Sequence, residues 1–228
     1  MRRILVIGDI HGCSTALETL LAFVAPLPTD TLVTLGDYVD RGPDTCGVLE
    51  RLITLSKTHH LVALRGNHEL MLLDARDDRR ISLAEWRKFG GDATLDSYQG
   101  SLDGIPDTHW SFIEQQCVDC WETETHFFVH ANAYPDLPLY EQPRYTLYWC
   151  KFGNPAPHES GKIMVCGHTS QKNGLPLNFG HAVCIDTWAC GDGWLSCLDI
   201  YSGLVYQANQ ARETRRLRLG DLLVPTEE

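Results

Sequence analysis

Three times in its first 70 residues the chain runs a short apolar segment straight into a glycine-flanked cluster of carboxylate, amide and imidazole side chains. Residues 4–7 lead into Gly8-Asp9-Ile10-His11-Gly12, residues 32–35 into Gly36-Asp37-Tyr38-Val39-Asp40-Arg41-Gly42, and residues 61–64 into Gly66-Asn67-His68-Glu69. Four apolar residues without polar alternation are the pattern of a strand covered on both faces. Between them, residues 14–25 and 45–56 carry Leu, Val, Ile and Phe at helical spacing. The order βαβαβ predicts an α/β fold with a parallel sheet. The carboxyl ends of such strands form the ligand crevice, so Asp9, His11, Asp37, Asp40, Arg41, Asn67 and His68 are expected to meet at one sheet edge.

The later chain repeats the device. His130 follows the strand-like residues 127–129, and His168 follows residues 163–166. Further strands are expected at 182–185, 195–200 and 204–206, with a hairpin turn at 201–203, and these later strands together suggest a second, more mixed sheet. Residues 70–117 turn helical, with Trp86, Phe89, Leu95, Trp110, Phe112 and Ile113 as expected core anchors. Residues 132–154, rich in Pro, Tyr and Trp, show no period and read as a long loop of the kind that often carries function. The basic cluster 212–218 reads as a solvated tail. The whole, 1–228, is expected to be a single catalytic domain.

At 228 residues and 43% hydrophobic, the chain can bury a full core. Thirty acidic residues against 19 basic give a formal charge of -11, which argues against a long nucleic acid as partner. A small phosphorylated substrate stays compatible, because bound cations reverse the potential inside a pocket. Nine cysteines, an odd number with no secretory leader before them, argue against a disulfide scaffold. Nor is there an apolar run of the roughly 18 residues that a membrane span needs. A cytoplasmic protein is expected. Cys117-Val-Asp-Cys120 is a lone CxxC and reads as packing rather than a metal site.

Oxygen and imidazole donors without thiolate suit Mn²⁺, Fe²⁺ or Zn²⁺, Mn²⁺ best of the three. One carboxylate can bridge two such ions, and the pair acidifies a shared water to hydroxide. Crowded carboxylates repel each other unless cations sit between them. An isolated Asp in a Gly-Asp turn is usually a turn or cap residue. Five strand ends each bearing a ligand-type side chain are a different matter.

Those motifs resemble the calcineurin-like metallophosphoesterases, and within them the phosphoprotein phosphatases, especially the short bacterial and phage members. The resemblance rests on GDIHG, GDYVDRG, GNHE, the Val-His-Ala around His130, and Gly-His-Thr at His168 followed by Ile185-Asp186-Thr187. It implies a four-layer sandwich of two mixed β-sheets flanked by helices, and two divalent metal ions. It also implies Asp9 and His11 as ligands of the first metal, Asp37 as the bridge, and Asn67, His130 and His168 as ligands of the second. His68 is then the general acid, Asp40 the carboxylate that orients it, and Arg41 the clamp on the phosphate oxygens. The sequence departs from the pattern twice. Where relatives place a second phosphate-binding arginine, Trp149-Cys150-Lys151 offers Lys151, a point charge without the bidentate fork. Gly167-His168-Thr169-Ser170 lacks the second histidine of GHxH, and His181 is a rival for the last ligand place. The expected activity is phosphomonoester hydrolysis by direct attack of the dimetal-bridging hydroxide. GDxxDRG with GNHE favours phosphoserine and phosphothreonine in proteins as substrates, since diadenosine tetraphosphate hydrolases more often show GNHD. The alternatives are such a bis-nucleosyl hydrolase and a broad-specificity or tyrosine-directed phosphatase acting on small phosphoesters.

Overall fold

The computed structural model describes residues 2–224. Its first strands and helices follow the βαβαβ order: β1 (Ile4–Ile7), α1 (Ser14–Val24), β2 (Thr31–Thr34), α2 (Thr45–Thr58) and β3 (His60–Ala63). The strands pair in parallel, Leu5 opposite Leu32 and Leu32 opposite Leu61. All four residues of β1 and of β2 are buried, whereas β3 is an edge strand with only Ala63 fully covered. α2 starts where the Asp44 side chain accepts the Gly47 N–H at 2.8 Å, satisfying a free donor of the first turn.

A helical excursion follows, comprising α3 (Asn67–Arg76), α4 (Leu83–Trp86), a wide turn at Arg87–Gly91, α5 (Asp92–Ser97) and α6 (Asp107–Ser111). Of the expected anchors, Trp86, Leu95, Phe112 and Ile113 are buried with the helices that cover the first sheet. Phe89 is a correction: it is 53% exposed, because the wide turn at Arg87–Gly91 carries it out of the helical register.

The second half contains β4 (Cys120–Glu122), β5 (His126–Val129), α7 (Arg144–Trp149), β6 (Ile163–Cys166), β7 (Leu177–Asn178), β8 (Ala182–Cys184), β9 (Leu195–Asp199), β10 (Leu204–Ala208) and β11 (Thr214–Arg218). The sheets run β11-β10-β9-β1-β2-β3 and β4-β5-β6-β8-β7. Thus the strands expected at 195–200 and 204–206 do not join the second sheet. β9 pairs antiparallel with β1, Val6 opposite Leu198, and the hairpin extends the first sheet on its free side. The cluster 212–218 is also no solvated tail. It forms the edge strand β11, whose side chains alternate exposed and half-buried, and its arginines keep that edge charged. The loop 132–154 holds the short helix α7, too brief to show a period.

Alternation along each strand builds the layers. Ile4, Val6, Val33 and Leu35 of the first sheet face Phe128, Val165, Val183 and Ile185 of the second in one shared core. Leu5, Ile7 and Leu32 point the other way, into Leu17, Leu20, Val48 and Leu52 of α1 and α2. On the far side, Phe127, Val129, Met164 and Cys184 pack against Leu147 and Tyr148 of α7. The result is helices, sheet, sheet and a thin helical cover. The parallel strands of both sheets end at the same rim. No described helix is long and apolar enough to cross a membrane.

Candidate metal centre

Each parallel strand hands its following residues to that rim. His11, Asp37, Asp40, Arg41 and His168 all take left-handed backbone angles, with φ between 46° and 71°, though none is glycine. Half of the ten described non-glycine residues in that region are therefore expected site residues, and such conformations persist only where the surroundings hold them. The holding contacts are visible. The Ile10 and His11 N–H groups donate to Asp37 O at 3.1 and 2.7 Å, and Gly167 N–H donates to His130 O at 2.8 Å. At Gly66 and Gly167 a Cβ would overlap the carboxylates of Asp37 and Asp9 respectively, so a side chain there would displace a residue of the site.

Asp37 lies at the middle. Its Oδ2 is 3.4 Å from His11 Nε2 and 4.0 Å from His68 Nε2, and its Oδ1 is 3.5 Å from His130 Nε2. The potential ligand atoms of His11, Asp37 and His68 lie within 4.8 Å of one another, as do those of Asp37, His130 and His168. Asn67 Oδ1 sits 2.9 Å from both His130 Nε2 and His168 Nδ1. Asp9 stands outside both groups, its carboxylate accepting the His168 N–H at 2.9 and 3.1 Å. His181 is away from the rim, with Nε2 2.7 Å from Pro155 O at the start of β8. Lys151 is exposed, and its carbonyl accepts from Asn132 Nδ2 at 3.1 Å, which ties its backbone two residues past His130.

The donor set fits divalent cations. His11 Nδ1 lies 2.9 Å from Val39 O, and His130 Nδ1 lies 2.7 Å from Leu35 O. A carbonyl accepts only, so each Nδ1 carries the proton and each Nε2 presents a lone pair toward Asp37. His130 Nε2 and Asn67 Oδ1 are then two acceptors face to face, an arrangement that calls for positive charge between them. On the other side Arg41 Nη1 sits 2.9 Å from His11 Nε2, a guanidinium placed where a cation would bind.

The ionisation behaviour agrees. Burial above all, then the charges of Asp186 and Asp37, pushes the Asp9 carboxyl well above its ordinary range. Burial drives His11 down to about 3 and His168 down to about 4, keeping both imidazoles neutral.

His68 has a different environment. Its Nδ1 is 2.6 Å from Asp40 Oδ2. That oxygen also accepts from Trp86 Nε1 at 2.9 Å, and Thr94 Oγ1 donates to the other Asp40 oxygen at 2.8 Å.

Four residues have roles at the site that the sequence motifs did not assign. Asp186, buried just beyond β8, accepts from Ser170 Oγ at 2.7 Å and Trp188 N at 3.0 Å and crowds Asp9; its place past a strand end was the available signal. Trp86 and Thr94 reach Asp40 from 46 and 54 residues away and give no local signal. Glu69 is fully buried, and its two oxygens accept backbone N–H groups from Asp37, Tyr38, Val39 and Gly66 at 2.7 to 3.2 Å. Its signal was the acidic residue at the third position of α3. Burial and the charge of Asp37 push its carboxyl up to about 7, against the four N–H groups, which favour the ionised form. Glu69→Gln replaces an acceptor oxygen with an NH₂ facing two backbone donors. Leaving those two N–H groups unpaired should cost about 2–4 kcal/mol of stability in urea unfolding; an unchanged midpoint would show that Glu69 does not hold the β2 turn.

A two-sheet α/β fold that gathers Asp, Asn and His side chains at the ends of its parallel strands is that of the metallophosphoesterases. The calcineurin-like phosphoesterase family model matches residues 2–186, and the chain belongs to that family. Over 92 residues it is 44% identical to serine/threonine-protein phosphatase 1 of Salmonella typhimurium, a match covering 40% of each chain. Over 130 residues it is 36% identical to a symmetrical bis(5'-nucleosyl)-tetraphosphatase of Ralstonia nicotianae, covering 57% of this chain and 41% of that one. The chain thus spans about 40% of the length of these curated relatives. A solved structure provisionally assigned as a diadenosine tetraphosphatase superposes with a TM-score of 0.69 over 91% of this chain and 93% of that one; at 24% identity the likeness is one of fold.

Proposed function

We propose that the chain is a dimetal-dependent phosphomonoester hydrolase whose main substrates are phosphoserine and phosphothreonine in proteins. The observation that supports the dimetal chemistry best is the placing of Asp37 between two groups of imidazole nitrogens, one on each side of its carboxylate, while GDxxDRG with GNHE carries the preference for phosphoserine and phosphothreonine. Asp9, His11 and Asp37 would hold one ion, and Asp37, Asn67, His130 and His168 the other. Divalent ions bound there supply Lewis acidity toward the phosphoryl oxygens and acidify water. Arg41 leaves His11 and clamps the phosphate with its planar fork. Asp40 orients His68, which delivers a proton to the departing oxygen. Lys151 offers a second cation from the loop that ends α7.

A second reading, hydrolysis of a dinucleoside tetraphosphate, is favoured by the identity to the Ralstonia relative. One metal-supplemented assay across phosphopeptides, a simple aryl phosphate and diadenosine tetraphosphate separates the two. Chelation is expected to abolish turnover, and Mn²⁺ to restore it best, because carboxylate, amide and imidazole donors suit that ion. Full turnover by thoroughly metal-free protein would overturn the dimetal reading.

A further inference from the structure

We propose that an elongated basic and aromatic groove beside the metal centre binds the polypeptide that flanks the phosphorylated residue, and that it selects acidic segments carrying an apolar side chain. The inference rests on the phosphoprotein reading above. The groove's walls grow out of the site. Leu70 and Met71 lie two and three residues past His68 on α3, and Trp149 ends α7 two residues before Lys151. Phe89 precedes Gly90, whose carbonyl accepts the Arg41 N–H at 3.0 Å. This surface thus adjoins the backbone of Arg41, and a chain leaving a phosphate held there can run onto it.

The lining sets the chemistry. Phe89, Tyr145 and Trp149 are 53%, 65% and 39% exposed, an unusual cluster of aromatic surface. The concavity measures about 690 Å³ and adjoins a second of about 440 Å³ that shares Leu70, Asp74, Arg80 and Arg144 with it. Along the two, cations outnumber carboxylates five to three, in a chain whose net charge is -11. Arg65 and Arg79 are engaged by Asp119 and Asp77. Arg80, Lys88 and Arg144 make no ion pair among the described residues and face solvent. The extended double concavity suits a strand of peptide better than a compact nucleoside. Unpaired cations then attract acidic residues, and the aromatic walls take the apolar side chain.

The test compares phosphoserine peptides with acidic, neutral or basic flanks, each with and without a leucine beside the phosphoserine, with p-nitrophenyl phosphate and diadenosine tetraphosphate alongside. Wild-type protein should rank the peptides acidic, neutral, basic. The double variant K88E/R144E should reduce the ratio of kcat/KM for acidic over basic peptide about tenfold, and Phe89→Ser should erase the gain from leucine. Phosphopeptide turnover that ignores flanking charge, in wild type and variant alike, overturns this inference alone. A loss confined to diadenosine tetraphosphate also overturns it and assigns the groove to a nucleotide. Turnover of the aryl phosphate with none of any phosphopeptide overturns the phosphoprotein reading and the inference with it.

Discussion

Asp37→Asn is expected to lower kcat at least about 10²-fold and to strip the protein of metal. Groups that only orient a metal ligand already cost about 10- to 100-fold in affinity or activity when lost, and Asp37 stands inside both ligand groups. Its two oxygens face opposite ways, Oδ2 toward His11 and Oδ1 toward His130. The amide keeps the shape and the acceptor for the His68 N–H, 3.0 Å from Oδ1, so the fold should survive. What goes is the negative charge that both cations would share. Elemental analysis should show the content falling from near two ions, and the rise in Tm that Mn²⁺ gives the wild type should shrink, since a ligand stabilises only in proportion to its binding. A single-ligand change such as His168→Ala should do less, because it touches one group alone. A variant that still holds two ions and turns over at the wild-type rate would remove Asp37 from the centre of the site.

What could be read in the sequence was local. A run such as residues 4–7 or 32–35 declares a covered strand because it lacks polar alternation, and the strands found at Ile4–Ile7 and Thr31–Thr34 are buried throughout; the glycine-flanked side chains past their ends go to the rim. His130 and His168 were legible for the same reason. The assignment of strands to sheets was not legible. Nothing in Leu195–Asp199 says that it pairs with β1 rather than β8. That choice lies in which face of the first sheet is free, a property of the packed whole. β11 was hidden by its charge: Arg215, Arg216 and Arg218 look like a solvated run until an edge strand needs protecting. The supports of Asp40 were equally invisible, because Trp86 and Thr94 come from helices whose placement no short motif fixes.

His68→Asn should lower kcat on phosphoserine substrates by roughly 10² to 10⁴, the usual worth of a positioned general acid. His68 Nδ1 is locked to Asp40 at 2.6 Å, so its Nε2 is the free nitrogen, and it points into the site 4.0 Å from Asp37. Burial lowers the imidazole's proton affinity, but the charge of Asp37 and the hydrogen bond and charge of Asp40 outweigh it, and the net effect is to raise the pKa above the ordinary histidine value. The sign follows directly. The proton-donating form prevails below the raised pKa, so kcat on a poor leaving group falls as pH rises through it, and so does the stability that the pair contributes. Asp40→Asn removes the charge that raises His68, and the falling limb of the kcat profile should move to lower pH. Asparagine at position 68 should leave the metal content near two ions, which separates loss of an acid from loss of a ligand. The loss should also shrink on an activated aryl phosphate, whose leaving group needs little protonation. Equal losses on phosphoserine and aryl phosphate, or a pH limb unmoved by Asp40→Asn, would make His68 a structural member of the site instead of its acid.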